Sequence, residues 1–280
     1  MLDADVVRSR VERTNAIPTI SRVMKKILKT FGDPTTSPAA VSKLVSSDPA
    51  LTAKILRVIN AAVYGFVVPI ASVNQAVVLL GLDVVRALLL CVPIFEMMEQ
   101  TALGLWRHSL GCAVTAKLLA HKKGMSDPEE ASIAGLLHDI GKVVLSAQFP
   151  KEYQVALAAT RDRSMFLFDA EMEIFNMTHA TVGAYFANTW RLPKFIVESI
   201  RHHHHPFLTP APLMHTVTVH MADIFVKAYH VGFSGDTFVP AVHPYAWELF
   251  DFSETQVKGL FSEIGHLMAE VDDFFNNPDG

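Results

Sequence analysis

The sequence predicts an all-α protein, and three observations carry that prediction. Apolar residues recur at helical spacing, as in Leu51, Ile55, Val58, Ile59 and Ala62. Helix-start signals recur along the chain. Ser37-Pro38, Asp48-Pro49 and Asp127-Pro128 each set a capping residue before a proline at the first helical position. Runs that alternate apolar and polar residues, as half-buried strands do, never reach useful length.

The elements follow in order. Asp48 starts a helix whose end is marked by Tyr64-Gly65, and Val68-Pro69 forces an extended link, because the residue before proline is disfavoured in the α region. Asn60, near that helix end, is expected to cap or to bond backbone. Ser72 starts a helix over Val73 to Leu80, Gly81 makes a turn, and Asp83 caps a helix through Val92 that Pro93 bends or ends. Helices are then expected over Leu105 to Lys122, Glu129 to His138, Lys142 to Thr160 with a break at Phe149-Pro150, and Phe168 to Asn176. Thr178 caps Ala180 to Trp190, and Lys194 to His204 follows Leu192-Pro193. Gly141 is expected to let the chain leave the helix that ends in His138. Pro206, Pro210 and Pro212 make a loop before Leu213 to His230, and a Gly/Pro-rich loop runs from Gly232 to Pro244. Ser253-Glu254-Thr255-Gln256 is a capping-box pattern opening a last helix to Phe275, and Asn277 to Gly280 frays.

Composition narrows the function. The chain has 280 residues, 50% hydrophobic and 19% charged, enough apolar matter for a sizeable core. A net charge of −4 gives no general attraction to phosphate backbones, so non-specific nucleic-acid binding is not expected. Cys91 and Cys112 lie in apolar stretches and are expected to be reduced core residues of a cytoplasmic protein. The most membrane-like segment, Ala76 to Phe95, carries Asp83 and Arg86. Each charge would cost roughly 2.5–3.5 kcal/mol at a bilayer centre, so two buried helices are expected there instead.

Chemistry-bearing residues are unevenly spread. All 13 histidines stand at or after His108. The segment Gly135-Leu136-Leu137-His138-Asp139-Ile140-Gly141-Lys142 brings an imidazole and a carboxylate side by side. Metal-ligand candidates are His108, His138, Asp139, His179, His203, His204 and Asp223. Three or four of them would hold one ion. All seven would hold two, with Asp139 as the bridging carboxylate. Imidazoles with carboxylates and no thiolate point to Fe, Mn, Zn, Ni or Mg. Four consecutive histidines, His202 to His205, fan around a helix, so at most two face one site. His220 and Asp223, three apart, could pair with each other. Lys142 is placed to contact a phosphate or to protonate a leaving group.

These residues, in this order, resemble the HD superfamily of metal-dependent phosphohydrolases. His179 and the His203-His204 pair are similar to the two-metal branch typified by HD-GYP cyclic-di-GMP phosphodiesterases. The phrases IPTISRVMKKIL, SSDPALTAKILRVINAAVYG, ASIAGLLHDIGKVVLSAQFP and THATVGAYFANTWRLPKFIVESIRHHHHP resemble the HDOD family most closely, over about Ile17 to Val226. The resemblance implies an N-terminal helical subdomain (residues 1–100) packed on an HD-like helical subdomain (residues 101–276). It also implies a bacterial signal-transduction role exercised through signalling-protein partners. The Gly-Tyr-Pro segment of the cyclic-di-GMP enzymes is replaced by His205-Pro206-Phe207-Leu208, which argues against that substrate. Ala61 stands after Asn60 where the family usually has Ser.

The expected function is a cytoplasmic regulatory protein acting mainly through protein contacts, with one or two divalent ions in its HD-like half. The alternatives are an active phosphohydrolase on a nucleotide or cyclic dinucleotide and, more weakly, a di-iron redox or oxygen sensor. No membrane partner is expected.

Overall fold

A computed structural model describes residues 2–13, 37–60, 69–100, 104–208 and 213–276. Among these residues the secondary structure is helical and there is no strand. The expected helix end at Tyr64-Gly65, Ala61, Val68, Pro210, Pro212 and the frayed end 277–280 lie outside them.

The first helices form where their caps direct. α1 spans Ala4–Arg13, α2 Pro38–Val45, α3 Pro49–Ile59, α4 Val73–Leu80 and α5 Leu82–Gln100. Ser37, Asp48 and Ser72 each accept a backbone N–H from the first turn of the helix they precede. Asn60 closes α3, and its side chain clamps a distant strand-like backbone: Nδ2 donates to the Ile70 carbonyl (2.9 Å) and Oδ1 accepts from Ile70 N–H (2.7 Å). Gly81, at φ +83°, turns the chain between α4 and α5, a conformation that disfavours any side chain. Two expectations shift here. Asp83 lies inside the first turn of α5 rather than capping it, and Pro93 does not end α5, which runs on to Gln100.

The remaining helices are α6 Leu105–Lys123, α7 Pro128–Leu137, α8 Ile140–Gln148, α9 Pro150–Asp162, α10 Leu167–Phe175, α11 His179–Thr189, α12 Lys194–His202, α13 Met214–Ala228, α14 Pro244–Phe250 and α15 Glu254–Asn276. α6, α7 and α13 pack on one another, α12 joins α7 to α13, and α11 lies against α8 and α12. α1 rests on α8 and α11, and α5 packs on α6, α7 and α8. α6 is buried on nearly every side through Ala120, which fits its position at the centre of this packing.

One expectation is corrected by the crossing of α8 and α11. Gly141 is not an exit from a helix; it sits in the first turn of α8. A Cβ there would lie 1.9 Å from the His179 carbonyl oxygen and 2.8 Å from Gly183 N, so the absence of a side chain sets the approach of the two helices. That approach carries His179, the first residue of α11, up to Asp139, which immediately precedes α8.

Among the described residues no helix is long and apolar enough to cross a membrane. α4 and α5 account for the segment Ala76 to Phe95, as two helices joined at Gly81.

Candidate metal centre

The seven candidate ligands come from five places in the chain and meet in one buried volume. α6 carries His108, the α7–α8 junction carries His138 and Asp139, α11 opens with His179, the end of α12 carries His203 and His204, and α13 carries Asp223. His108, His138, Asp139, His179, His203 and Asp223 are each at most 3% exposed.

Asp139 divides them. Its Oδ2 lies 3.3 Å from His138 Nε2 and 3.7 Å from His108 Nε2, and those two imidazoles lie 3.7 Å and 3.0 Å from Asp223 Oδ1. Its Oδ1 faces the other way, 3.3 Å from His179 Nε2 and 3.6 Å from His203 Nε2. His204 Nε2 completes that second group, 2.9 Å from His179 Nε2. Two sets of donors thus meet at one carboxylate.

The chemistry of the donors fits cations. His138 Nε2, Asp139 Oδ1 and Asp223 Oδ1 are buried without a hydrogen-bond partner, an arrangement that costs roughly 1–3 kcal/mol per group or more unless something fills it. The other nitrogens are already engaged: His138 Nδ1 with the Gly135 carbonyl (2.7 Å) and His203 Nδ1 with the Ile200 carbonyl (2.9 Å). In the neutral imidazole that a metal requires, each Nδ1 therefore carries the proton and each Nε2 turns a lone pair inward. Two imidazole nitrogens 2.9 Å apart, as in His179 and His204, both require that lone pair to be shared with a proton or an ion. Divalent metal binding is compatible with this cluster. Four buried carboxylates, Asp139, Asp223, Asp236 and Glu171, gather here beside two lysines, Lys142 and Lys227, and the imidazoles of the cluster.

The electrostatics follow from burial and crowding. Burial pushes the His138 imidazole down, but the Asp139 carboxylate outweighs it and holds the group up at about 9. Burial and the neighbouring imidazoles hold His203 and His204 well below the usual histidine range. Burial pushes Asp139 up, yet His138 and Lys142 keep it well below the usual carboxylate range.

Sequence reasoning missed several groups that orient the ligands. Glu171, in α10 and fully buried, accepts from both the backbone N–H and the Nδ1–H of His179 through Oε2 at 2.6 Å each. Its position eight residues before His179, inside an otherwise acidic helix, was the available signal. Lys227, one turn after Asp223, bridges Asp223 Oδ2 and Asp236 Oδ2 at 2.9 Å each. Lys142 Nζ donates to Asp139 Oδ2 (2.6 Å) and to the Ser234 carbonyl (2.9 Å), so both contacts are internal. His220 does not pair with Asp223: its Nδ1 bonds the His203 carbonyl (2.7 Å) and its Nε2 accepts from His243 N–H (3.0 Å). Within the histidine run only His203 and His204 reach the cluster, as helix geometry requires; His205 meets Phe168 edge to face, as His204 also does.

A cavity of about 400 Å3 opens beside His204. His205, His220, Lys227 and Asp236 line one part of it, and Phe166, Phe168 and Val242 line another. Its size is in the range of small-molecule sites.

Comparison with known proteins agrees with this architecture. A curated relative, an uncharacterized protein of Treponema pallidum (strain Nichols), is 27% identical over 218 residues; the match covers 75% of this chain and 42% of the relative, so the chain spans less than half of that protein's length. Among solved structures, an HDOD domain protein of unknown function from Geobacter sulfurreducens is 28% identical, with a TM-score of 0.69 and coverage of 97% of this chain and 99% of the other. A Marinobacter aquaeolei VT8 protein assigned provisionally to signal transduction has a TM-score of 0.71 at 18% identity, covering 96% and 64%, a likeness of fold alone. The HDOD domain model matches residues 17–206, more than half of the sequence, and the chain belongs to the HDOD domain family.

Proposed function

We propose that this chain is a regulatory signal-transduction module that acts mainly through protein contacts and holds two divalent ions in its HD-like half. His108, His138, Asp139 and Asp223 would hold one ion, and Asp139, His179, His203 and His204 the other. The observation that carries the regulatory reading is a packing relation. α1 and α5, from a part of the chain that bears no histidine, both rest on α8, and α5 also on α7, the two helices that deliver His138 and Asp139. A change at that pair therefore bears directly on the surface that a partner protein would meet. Hydrogen exchange in the full chain tests this: loading with metal should slow exchange in α1 and α5 as well as around the cluster. Protection confined to α6–α13 would count against it.

A second reading, hydrolysis of a phosphoester of a nucleotide or cyclic dinucleotide, is favoured by the cavity beside His204. Bound divalent ions supply Lewis acidity and lower the pKa of water, the chemistry of in-line phosphoryl displacement. The chain's own residues would contribute positioning: His204, Phe166 and Phe168 from the cavity lining, and Lys227, which would meet a phosphate only by exchanging its contacts with Asp223 and Asp236. Lys142, being bound to Asp139, would hold that carboxylate in place and meet a phosphate only after exchanging that contact. Turnover of a generic phosphodiester by the metal-loaded protein, abolished in His138→Ala, would establish this reading over the first; metal binding without turnover supports the first.

A further inference from the structure

We propose that Cys112 is a further ligand of the first ion, adding a sulfur donor to His108, His138, Asp223 and the shared Asp139, so that this half of the centre takes zinc or a similar borderline ion in preference to magnesium. The inference rests on the metal-binding reading above and sharpens it. Cys112 stands one helical turn after His108 on α6, so the two side chains share a face. Its Sγ is 3.5 Å from His108 Nε2. One donor atom from each of His108, Cys112, His138 and Asp223 falls within 4.8 Å of every other. Two of those atoms, His138 Nε2 and Asp223 Oδ1, are buried without a hydrogen-bond partner and are aimed into the same space.

Asp139 Oδ2, the carboxylate shared with the other ion, also accepts a 2.6 Å hydrogen bond from Lys142. The thiol's polar neighbour is the ligand nitrogen itself, His108 Nε2. Donors of mixed nitrogen, oxygen and sulfur type suit zinc, whereas magnesium favours six oxygen donors. Simple apolar packing, the usual fate of a buried cysteine, gives no reason for the sulfur to sit against a ligand nitrogen among unpartnered polar atoms. The second group, His179, His203, His204 and Asp139 Oδ1, has no sulfur, so the two halves of the centre differ in softness. On binding, the S–H proton passes to solvent as the sulfur–metal bond forms, and no electrons are transferred.

Cobalt(II) loaded into the full chain reads this directly. The expected spectrum contains sulfur-to-cobalt charge-transfer absorption in the near ultraviolet, lost in Cys112→Ala and kept in Cys91→Ala. Bound cobalt without that absorption, or absorption that survives in Cys112→Ala, overturns the assignment while leaving the two-ion reading intact. A count of no bound ion would sink both. A second variant guards against a folding defect. In Cys112→Ser with unchanged circular dichroism, zinc affinity at one site should fall about tenfold or more, since even loss of an outer-sphere partner costs roughly 10–100-fold. Unchanged zinc affinity would overturn the proposal.

Discussion

Asp139 is the residue on which the candidate centre turns, because each of its oxygens faces a different set of imidazoles. Glu171 plays a supporting part that can be isolated. It holds His179 by both the backbone N–H and Nδ1–H, which fixes the tautomer that turns Nε2 toward Asp139. Glu171→Gln keeps the shape but removes the negative charge that holds the His179 backbone N–H and Nδ1–H. Affinity for one ion should fall roughly 10–100-fold while the other is retained. Competition with a chelating dye measures this, and equal weakening of both ions would argue for general damage instead. The seven ligand types were legible in the sequence as chemistry and order. Glu171 was not, because an acidic residue in an amphipathic helix is ordinarily on the solvated face, and here the packing of α10 against α9 and the bonds to His179 turn it inward.

At the scale of elements, the helix crossings govern the positions of those side chains. Gly141 lets α8 and α11 touch, and a methyl group there would collide with backbone at the His179 carbonyl. Gly141→Ala should therefore lower stability by at least the roughly 1–3 kcal/mol of an overpacked core and displace His179, read as a lower urea midpoint together with weaker metal binding. Retained stability and affinity would show that the crossing adjusts freely. The sequence marked this glycine as a helix exit because it follows His138-Asp139 directly. The pair itself supplies the break between α7 and α8, and the glycine was spent on tertiary approach, which local pattern cannot reveal. Asn60 is the opposite case. Its expected backbone-bonding role appears as two hydrogen bonds to Ile70, and Asn60→Ala should cost about 1–3 kcal/mol in urea unfolding through those lost bonds. A change of only a few tenths would mean that water replaces them.

For the whole molecule, helix class and most boundaries were readable because capping residues such as Ser37, Asp48, Ser72 and Thr178 act locally. α1 and α14 were not foreseen. α1 has an apolar face of only a few residues amid charges, and α14 is a short helix that begins at Pro244, where the Gly/Pro-rich loop ends. Which helices meet is a property of the packed core, and it is this packing that gathers the five ligand-bearing positions into one centre. The folded state alone assembles the donors, so bound metal stabilises it by mass action. Treatment with a strong chelator should lower the melting temperature, and restoring a divalent ion should recover it; an unchanged melting temperature would mean that the fold does not depend on the ions.

The central claim is that one carboxylate joins two ion sites. Elemental analysis of the purified chain, reconstituted with a single divalent metal, tests it most directly beside Asp139→Ala. The account predicts two ions per chain in the natural sequence and a loss at both sites in the variant, with helical content preserved. No bound ion in the natural chain, or two ions undiminished in Asp139→Ala, would contradict it.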